Sequence, residues 1–344
     1  MKKSKVIGLG LAASLLTGTA FSQITFSGYH ESNVITGNST GGAASISKTI
    51  GSETSLIISG QSKLTNGWVG KTNYQITNAS VDTVGASIGT ADGNFAIQAS
   101  SNEIRGSEIA RTINPSVTNR VNDIYGGSGL VALLDASSSI ANVGFEVNNI
   151  VGPNGRLSVN YAPNVACNTA VTGSSSDQST DSDSVCATNG TTARYSIGYV
   201  VAPITGLTVG VGYTKGSNAL ATQDDPKGKT IGAKYVFGDF AVGGQLTKNI
   251  NGNTAIASSQ EDHAKTYSLT YNINKEFSIG YIHSSQERKN GGVADADKIS
   301  ANVYSIGYNL GAAVISVDRM TVDNVKYVAN QDQELTKVKL KVNF

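Results

Sequence analysis

The last nine residues of the chain alternate between apolar and polar positions without a break. Successive side chains of a strand point to opposite faces, so one face carries Thr336, Val338, Leu340, Val342 and Phe344. The other face carries Lys337, Lys339, Lys341 and Asn343. An apolar face that runs to a terminal aromatic ring is typical of a strand with lipid on one side and water on the other. The pattern therefore predicts a transmembrane β-strand.

Similar alternation, interrupted by turns, predicts fifteen further strands. Short connections rich in Gly, Asn and Asp alternate with longer ones, as they do in barrels whose strands run up and down. The predicted strands lie near 23–35, 53–64, 68–78, 82–90, 94–100, 139–149, 156–163, 191–202, 207–216, 228–237, 240–250, 263–272, 277–287, 298–308, 312–323 and 335–344. The expected fold is therefore all-β, a transmembrane antiparallel up-and-down β-barrel of sixteen strands, with fourteen or eighteen as alternative counts.

Small or polar residues occupy the second face of several predicted strands. Within 207–214 these positions are Thr208, Gly210, Gly212 and Thr214. A dry core would require bulky side chains there, so the pattern predicts a water-filled interior. Aromatic residues also gather beside the short turns, which is typical of a girdle at a membrane interface: Phe237, Phe240, Tyr271, Phe277 and Tyr308. The alternative is that these rings fill the core of a β-sandwich.

Residues 1–22 have the pattern of a signal peptide. Three lysines precede an apolar segment from Val6 to Leu16, and Ala20-Phe21-Ser22 forms a small-x-small cleavage site before Gln23. The apolar segment is shorter than the roughly 20 residues that a spanning helix needs. The expected organisation is a cleaved segment 1–22 followed by a single barrel, 23–344; a permanent N-terminal anchor is the alternative.

Composition and charge exclude several classes of protein. Without residues 1–22 the chain carries 23 basic and 25 acidic residues, which provides no field for nucleic acid. The sequence has three histidines and two cysteines, and it contains no metal-ligand spacing, nucleophile elbow or phosphate-binding loop. No cofactor is expected. A soluble secreted β-protein would also have this composition, but it would not explain Phe344.

Several segments resemble the general porins of Gram-negative bacteria. Thr54 to Gly60, Leu64 to Trp68 and Tyr74 to Thr77 are similar to the second and third strands of these porins, with an apolar alternation, a Leu-x-Asn-Gly turn and an aromatic-Gln-apolar triplet. Gln23 to Gly28 is similar to their first strand, and Phe344 to their last residue, which forms part of an assembly signal. The resemblance implies a sixteen-stranded barrel, commonly a homotrimer, that passes small hydrophilic solutes by diffusion.

The same resemblance implies a location and partners. The barrel would lie in the outer membrane, in contact with outer-membrane lipid and lipopolysaccharide, and the barrel-assembly machinery would insert it. The even number of predicted strands leaves both termini on the periplasmic side. The resemblance also implies that the loop after the fifth strand folds into the barrel as a constriction. The corresponding interval, about 101–138, carries the charged residues Glu103, Arg105, Glu108, Arg111, Arg120 and Asp123. A surface loop with ordinary solvated charges is the alternative.

The chain departs from the family at the pore wall. These porins usually set a cluster of arginines on the wall, and the positions that would carry them here are Tyr29, Ser55 and Ala99. The basic residues expected to face inward are instead Lys63, Lys71, Lys339 and Lys341. Opposed charges set ion selectivity in a pore, so the ion preference of the family is not carried over to this chain.

A second long loop, about 164–190, contains both cysteines of the sequence, Cys167 and Cys186. In an oxidising periplasm an isolated pair of cysteines is most simply a disulfide, and we expect one here.

Three other functions remain open at the level of sequence. The barrel could be a substrate-selective channel, or an adhesin or receptor that uses its long loops. It could also be an outer-membrane hydrolase, which would need a histidine paired with a carboxylate or hydroxyl group. His30 with Glu31, and His263 with Glu261 and Asp262, are the candidate pairs.

Overall fold

Sixteen strands form a closed barrel in the part of the chain that the structure describes. The computed structural model describes residues 23–41, 48–78, 80–100, 110, 142–150, 154–162, 193–217, 225, 227–251, 260–290 and 298–344. The strands are β1 (Gln23–Ser39), β2 (Thr49–Lys63), β3 (Val69–Thr77), β4 (Ser80–Gly89), β5 (Phe95–Ser100), β6 (Asn142–Asn148), β7 (Arg156–Ala162), β8 (Arg194–Ile204), β9 (Leu207–Gly216), β10 (Lys227–Phe237), β11 (Phe240–Asn251), β12 (Gln260–Asn272), β13 (Phe277–Asn290), β14 (Ile299–Asn309), β15 (Ala313–Asp323) and β16 (Gln333–Asn343).

Each strand pairs antiparallel with the next, and β16 pairs with β1 to close the barrel. The closing register runs from Tyr29 opposite Asn343 to Ser39 opposite Gln333. The sixteen-stranded up-and-down barrel predicted from the sequence is therefore confirmed. In the described ranges, no helix has both the length and the apolar character needed to span a membrane.

The largest differences from the predicted strand bounds lie in the first hairpin. β1 continues to Ser39 and β2 begins at Thr49, because backbone pairing with the neighbours goes on after the apolar alternation stops. The turn predicted from 202 to 206 is also shorter. β8 runs to Ile204, which pairs with Leu207, and Gly206 adopts a φ of 83° that favours glycine in so tight a turn.

The two ends of the barrel differ in their connections. One end carries the turns at 64–68, 90–94, 238–239, 273–276 and 310–312, and we call it the short-turn end. The other is the long-loop end. Next to the turn at 238–239, four rings form a continuous row with centroid separations of 5.7, 5.5 and 4.4 Å: Tyr235, Phe237, Phe240 and Tyr271. The aromatic residues predicted beside short turns thus include rings that contact each other on the outer surface.

The outer face of the barrel is apolar and exposed. On β16, Val338, Leu340 and Val342 remain 43%, 44% and 37% exposed. The intervening Lys337 and Lys339 point inward and are buried. This polarity is opposite to that of a soluble sheet, which buries its apolar face. The two faces of β16 are those predicted from the alternation.

The inner face is polar along most of the described wall. Hydroxyl and amide groups contact each other across strands, as in the bonds from Gln245 Nε2 to Thr230 Oγ1 (3.0 Å) and from Thr214 Oγ1 to Ser196 Oγ (3.3 Å). These small polar residues match the predicted lining.

One region of the inner face is not polar. Towards the long-loop end of β13 to β16, apolar residues form a buried group, which we call the inner apolar cluster: Ile282, Ile299, Ala301, Val303, Met320, Val322, Val325, Tyr327 and Leu335. The small or polar lining predicted from other strands therefore does not extend to this side of the barrel. The cluster includes two residues of a short 3-10 helix, Val325–Tyr327, that follows β15.

Candidate functional site on the inner wall

Charged side chains meet on the inner face where β16 closes on β1. We call this group the seam cluster, and it consists of Tyr29, Glu31, Glu53, Lys337, Lys339 and Lys341. The lysines lie at alternate positions of β16 and therefore share its inner face. Glu31 Oε2 lies 3.6 Å from Lys339 Nζ, and Glu31 Oε1 lies 4.0 Å from Lys337 Nζ. A single carboxylate thus bridges two lysines on the neighbouring strand.

Tyr29 links the third lysine to a second carboxylate. The ammonium group of Lys341 lies 3.8 Å from the centre of the Tyr29 ring, within the range of a cation–π contact. The Tyr29 hydroxyl donates a hydrogen bond to the Glu53 carboxylate on β2. Three strands are therefore connected by side chains at the seam, and Lys341 is held beside an aromatic face.

Carboxylates balance the lysines at this wall. Lys337 and Lys339 are each only 7% exposed, so neither is a freely solvated charge. Asp318 on β15 stands directly opposite Lys337 and accepts a hydrogen bond of 2.6 Å from Ser305 Oγ. Three lysines thus face the carboxylates of Glu31, Glu53 and Asp318, which the sequence reasoning did not bring together because they lie on three different strands. The field from this wall is weaker than the lysines alone would produce.

Two other predicted basic positions lie nearer the short-turn end. Lys63 and Lys71 are both exposed and both face inward. Lys71 lines a polar recess of about 330 Å³. The other inner-face lining residues are Gln23, Thr25, Ser59, Gln61, Asn73 and Ser87. The described part of the lumen thus has an exposed, hydrophilic wall at this end.

One predicted wall position is wrong. Tyr29 and Ser55 face inward, but Ala99 faces outward, because it shares the outer face of β5 with Phe95 and Ile97. The inward residues of this strand include Gln98. Ala99 therefore cannot stand where a wall arginine would act.

An ion pair on β6 and β7 adds charge to a second part of the inner wall. Arg156 Nη2 lies 2.6 Å from Glu146 Oε2. Both residues face inward on the two arms of one hairpin, so strand alternation around the turn at 149–155 could have located this pair in advance.

The last loop of the chain, residues 324–332, docks on the inner wall. Its Tyr327 hydroxyl donates to Asp262 Oδ1 on β12 (3.0 Å) and accepts a hydrogen bond from Gln286 on β13. Arg288 binds Asp262 (Nε to Oδ1, 2.8 Å) and stacks 4.0 Å from the Tyr327 ring centre. Burial, and secondarily the Asp262 carboxylate, raise the pKa of Tyr327, so the phenol stays protonated and donates. We call this loop the docked loop.

The terminal residue Phe344 seals the seam at the short-turn end. Its backbone exchanges two hydrogen bonds with Gly28, at 2.9 and 3.1 Å. A Cβ added at Gly28 would lie 2.2 Å from the carbonyl oxygen of Ser55 and 2.7 Å from the Phe344 ring. The closing contact therefore requires glycine.

Replacing Gly28 with alanine is expected to reduce barrel stability by about 1–3 kcal/mol, because the methyl group forces backbone shifts at the seam. Urea unfolding in lipid vesicles would measure the loss. Gly232→Ala is the matched control, since its nearest neighbour would lie at 3.4 Å. Equal losses in the two variants would contradict the steric account.

Several predicted site residues lie outside the described residues. These are the signal segment 1–22, both cysteines (Cys167 and Cys186) with the whole loop 164–190 around them, and the charged residues of the loop after β5: Glu103, Arg105, Glu108, Arg111, Arg120 and Asp123. The one described residue of that loop, Ala110, is fully buried.

The two candidate histidine pairs have different geometries. His30 faces outward and binds Thr54 Oγ1 at 2.8 Å, whereas Glu31 faces inward, so the two do not meet. His263 Nε2 does lie 3.0 Å from Glu261 Oε2, and the same oxygen lies 2.6 Å from Lys248 Nζ. In the described ranges no group of three or more His, Cys, Asp or Glu residues is arranged to hold a metal ion.

Comparison with known proteins yields similarity in structure alone. No family model matches the chain, and no curated protein matches it. A trimer form of OmpT, an outer membrane protein of Vibrio cholerae, is 11% identical with a TM-score of 0.66, over 94% of this chain and 99% of that one. An anion-selective porin from Comamonas acidovorans is 14% identical with a TM-score of 0.66, over 94% and 99%. A mutant of the Rh. blastica porin is 13% identical with a TM-score of 0.60, over 94% and 100%. These similarities identify the fold as that of outer-membrane barrels, porins among them.

Proposed function

We propose that the protein is an outer-membrane channel through which small hydrophilic solutes and ions diffuse passively. The observation that carries this proposal is the reversed polarity of the closed barrel, with an exposed apolar outer face and a polar, charged inner face. A barrel of sixteen strands is wide enough to leave an aqueous channel. Solved porins with the same fold support the proposal.

The orientation follows from the same proposal. Short turns are periplasmic in barrels of this kind, and long loops are external. Gln23 and Phe344 lie at the short-turn end, so both termini would be periplasmic, where the barrel-assembly machinery would recognise Phe344. A homotrimer is also part of the proposal, and a trimer form of a similarly folded protein supports it.

Liposome swelling with sugars of increasing size tests the transport function. Vesicles that contain the folded protein should swell with small sugars, and swelling should slow as the sugar approaches the diameter of the channel. Protein unfolded by heat before reconstitution is the control. Swelling that starts for one sugar and not for others of the same size would favour the substrate-selective alternative.

We propose that the constriction lies in the loop 101–138, because this loop is long and because the resemblance to porins implies a constriction loop after the fifth strand. Reversing the charge of Glu103 and Glu108 to lysine should shift the reversal potential in a salt gradient toward anion preference, because charges at the narrowest point set selectivity. The same reversal at Glu276, in an exposed short turn, is the control. An unchanged potential would place the constriction elsewhere.

We do not assign an enzymatic function. The hydrolase alternative drawn from the sequence depends on a histidine that is free to act on a nucleophile or on water. His30 and Glu31 lie on opposite faces, and the Glu261 carboxylate beside His263 is engaged by Lys248 on the outer surface. These contacts favour a structural role for both histidines.

A further inference from the structure

The polar recess beside Lys71 is formed by β1 to β4 at the short-turn end of the inner wall. Its inward side chains form two rows, and the members of each row stand directly opposite one another on adjacent strands. The first row consists of Gln23, Gln61, Lys71 and Ser87, and the second consists of Thr25, Ser59 and Asn73. Neighbouring strands are roughly 4.8 Å apart, so one small molecule can contact both rows.

A glycine leaves space at the edge of the recess. Gly85 stands opposite Asn73, and a Cβ at that position would lie 2.4 Å from Asn73 Oδ1. The Asn73 amide therefore lies where any other residue at position 85 would place its side chain. The recess has a volume of about 330 Å³, which is at the lower end of the range for small-molecule sites.

The inward lining of the recess both donates and accepts hydrogen bonds. Three of its side chains are amides and three carry hydroxyl groups, and each of these groups offers a donor and an acceptor. The Gln61 amide, for example, donates to Gln23 Oε1 at 3.2 Å. The hydroxyl groups of a polyol also donate and accept, so a polyol matches this lining better than an apolar solute does.

Lys71 gives the recess a positive charge. Its side chain is exposed, and none of the ion pairs between described residues involves it. Lys63 is its diagonal neighbour on the same inner face, at the roughly 7–8 Å typical of such positions. Two ammonium groups therefore stand at this part of the wall.

The carboxylates of the surrounding strands and turns are distant or engaged. Glu31 and Glu53 face inward on β1 and β2, but they lie roughly 25 Å along these strands from the recess. Asp92, in the turn at 90–94, accepts hydrogen bonds from Thr90 Oγ1 and Asn94 Nδ2 within its own turn. The Lys71 ammonium group therefore remains available to an anionic group of a solute.

We propose that the polar recess binds a monosaccharide-sized polyol that carries one carboxylate or phosphate group. The anionic group binds the Lys71 ammonium, and the hydroxyl groups bind the amide and hydroxyl side chains of the two rows. Charge-assisted hydrogen bonds are stronger than neutral ones, so Lys71 sets the orientation of the solute. This inference rests on the proposed function, because a channel gives solutes access to the inner wall, and it adds a solute class and the residues that recognise it.

Saturation-transfer nuclear magnetic resonance on folded protein in detergent tests the site without any measurement of transport. Gluconate and glucose 6-phosphate are the probes, and both should bind the unaltered protein more tightly than glucose does. Lys71→Gln should weaken the binding of both anions about three- to fivefold, as expected for the loss of one exposed ion pair, and should leave glucose binding unchanged. Lys234→Gln is the matched control, because it removes the same charge from the inner face of β10 near the short-turn end. The control should bind like the unaltered protein.

A second variant and a simpler anion separate the recess from a general attraction of anions. Ser59→Phe fills the recess and should weaken the binding of gluconate, glucose 6-phosphate and glucose alike. Acetate has the charge without the hydroxyl groups, so it should displace gluconate only weakly. Gluconate and glucose 6-phosphate binding that is unchanged in Lys71→Gln, equally weakened in Lys234→Gln, or displaced as readily by acetate would overturn the proposal. A conducting channel that binds neither anion would contradict this inference alone, and folded protein that binds them without conducting would contradict the channel alone.

Discussion

Replacing Asp262 with alanine is expected to lower the free energy of unfolding by about 3–5 kcal/mol, because it leaves the charge of Arg288 in a largely enclosed site without its partner. Asp262 is only 2% exposed, and it holds both Arg288 and the Tyr327 hydroxyl. The same substitution removes the polar contact that ties the docked loop to β12. The loop amides should therefore lose protection.

Urea unfolding in lipid vesicles measures the stability, and hydrogen exchange at Val325 and Gln331 measures the docking, since the Val325 amide donates to the Gln331 carbonyl. Arg319→Ala is the matched control. It breaks an ion pair with Glu334 whose two side chains are 49% and 44% exposed, and such pairs contribute less than about 1 kcal/mol. A similar small loss in both variants would mean that the Asp262 contact does not hold the loop.

Replacing Glu31 with glutamine is expected to cost about 3 kcal/mol of stability, because Lys337 and Lys339 remain buried while their shared carboxylate is lost. The variant should also shift the reversal potential toward anions, because one wall charge is removed. Unfolding and reversal potential are measured on the same preparation.

Two variants separate charge from packing at the seam cluster. Glu53→Gln should cost only about 1 kcal/mol, because its amide oxygen still accepts the hydrogen bond from Tyr29. Adding Lys339→Gln to the Glu31 variant should recover part of the lost stability, because it removes a buried charge that has lost its carboxylate while Lys337 still faces the buried Asp318. A double variant no more stable than Glu31→Gln would show that the pairing between these charges is not what stabilises the seam.

The barrel was predictable because lipid outside and water inside impose a period of two on each strand. In β16, Val338 and Leu340 could be assigned outward, and Lys339 inward, from the alternation alone. An error of one residue in the register then moves a side chain from the lumen to the lipid. Ala99 is such a case, because it was expected on the pore wall and lies on the outer face.

Contacts between distant segments were not predictable in the same way. Tyr327 and Asp262 are 65 residues apart, and neither lies in a pattern that indicates a partner. The inner apolar cluster was missed for a related reason. Leu335 and Met320 are single apolar residues at inward positions, and each looks like an exception to the polar lining when its strand is considered alone. They form a shared apolar surface only when β15 and β16 pair and place them opposite each other.

The charge balance of the wall also required the closed barrel. The sequence showed three lysines on β16, but their carboxylate partners stand on β1, at the other end of the chain, and on β15, the preceding strand. Closure brings Glu31 to Lys339, and the pairing of β15 with β16 places Asp318 opposite Lys337. A wall that looked strongly basic along one strand is therefore nearly neutral.

Single-channel recording of the purified protein in planar bilayers tests the central claim most directly. A passive diffusion channel predicts discrete conductance steps that grow in proportion to salt concentration, and a homotrimer predicts closure in groups of three at high voltage. Folding of the protein is checked by its heat-modifiable migration in gels and by the β-sheet signal in circular dichroism. Folded protein that produces no conductance steps at any voltage would contradict the claim that this barrel is a channel.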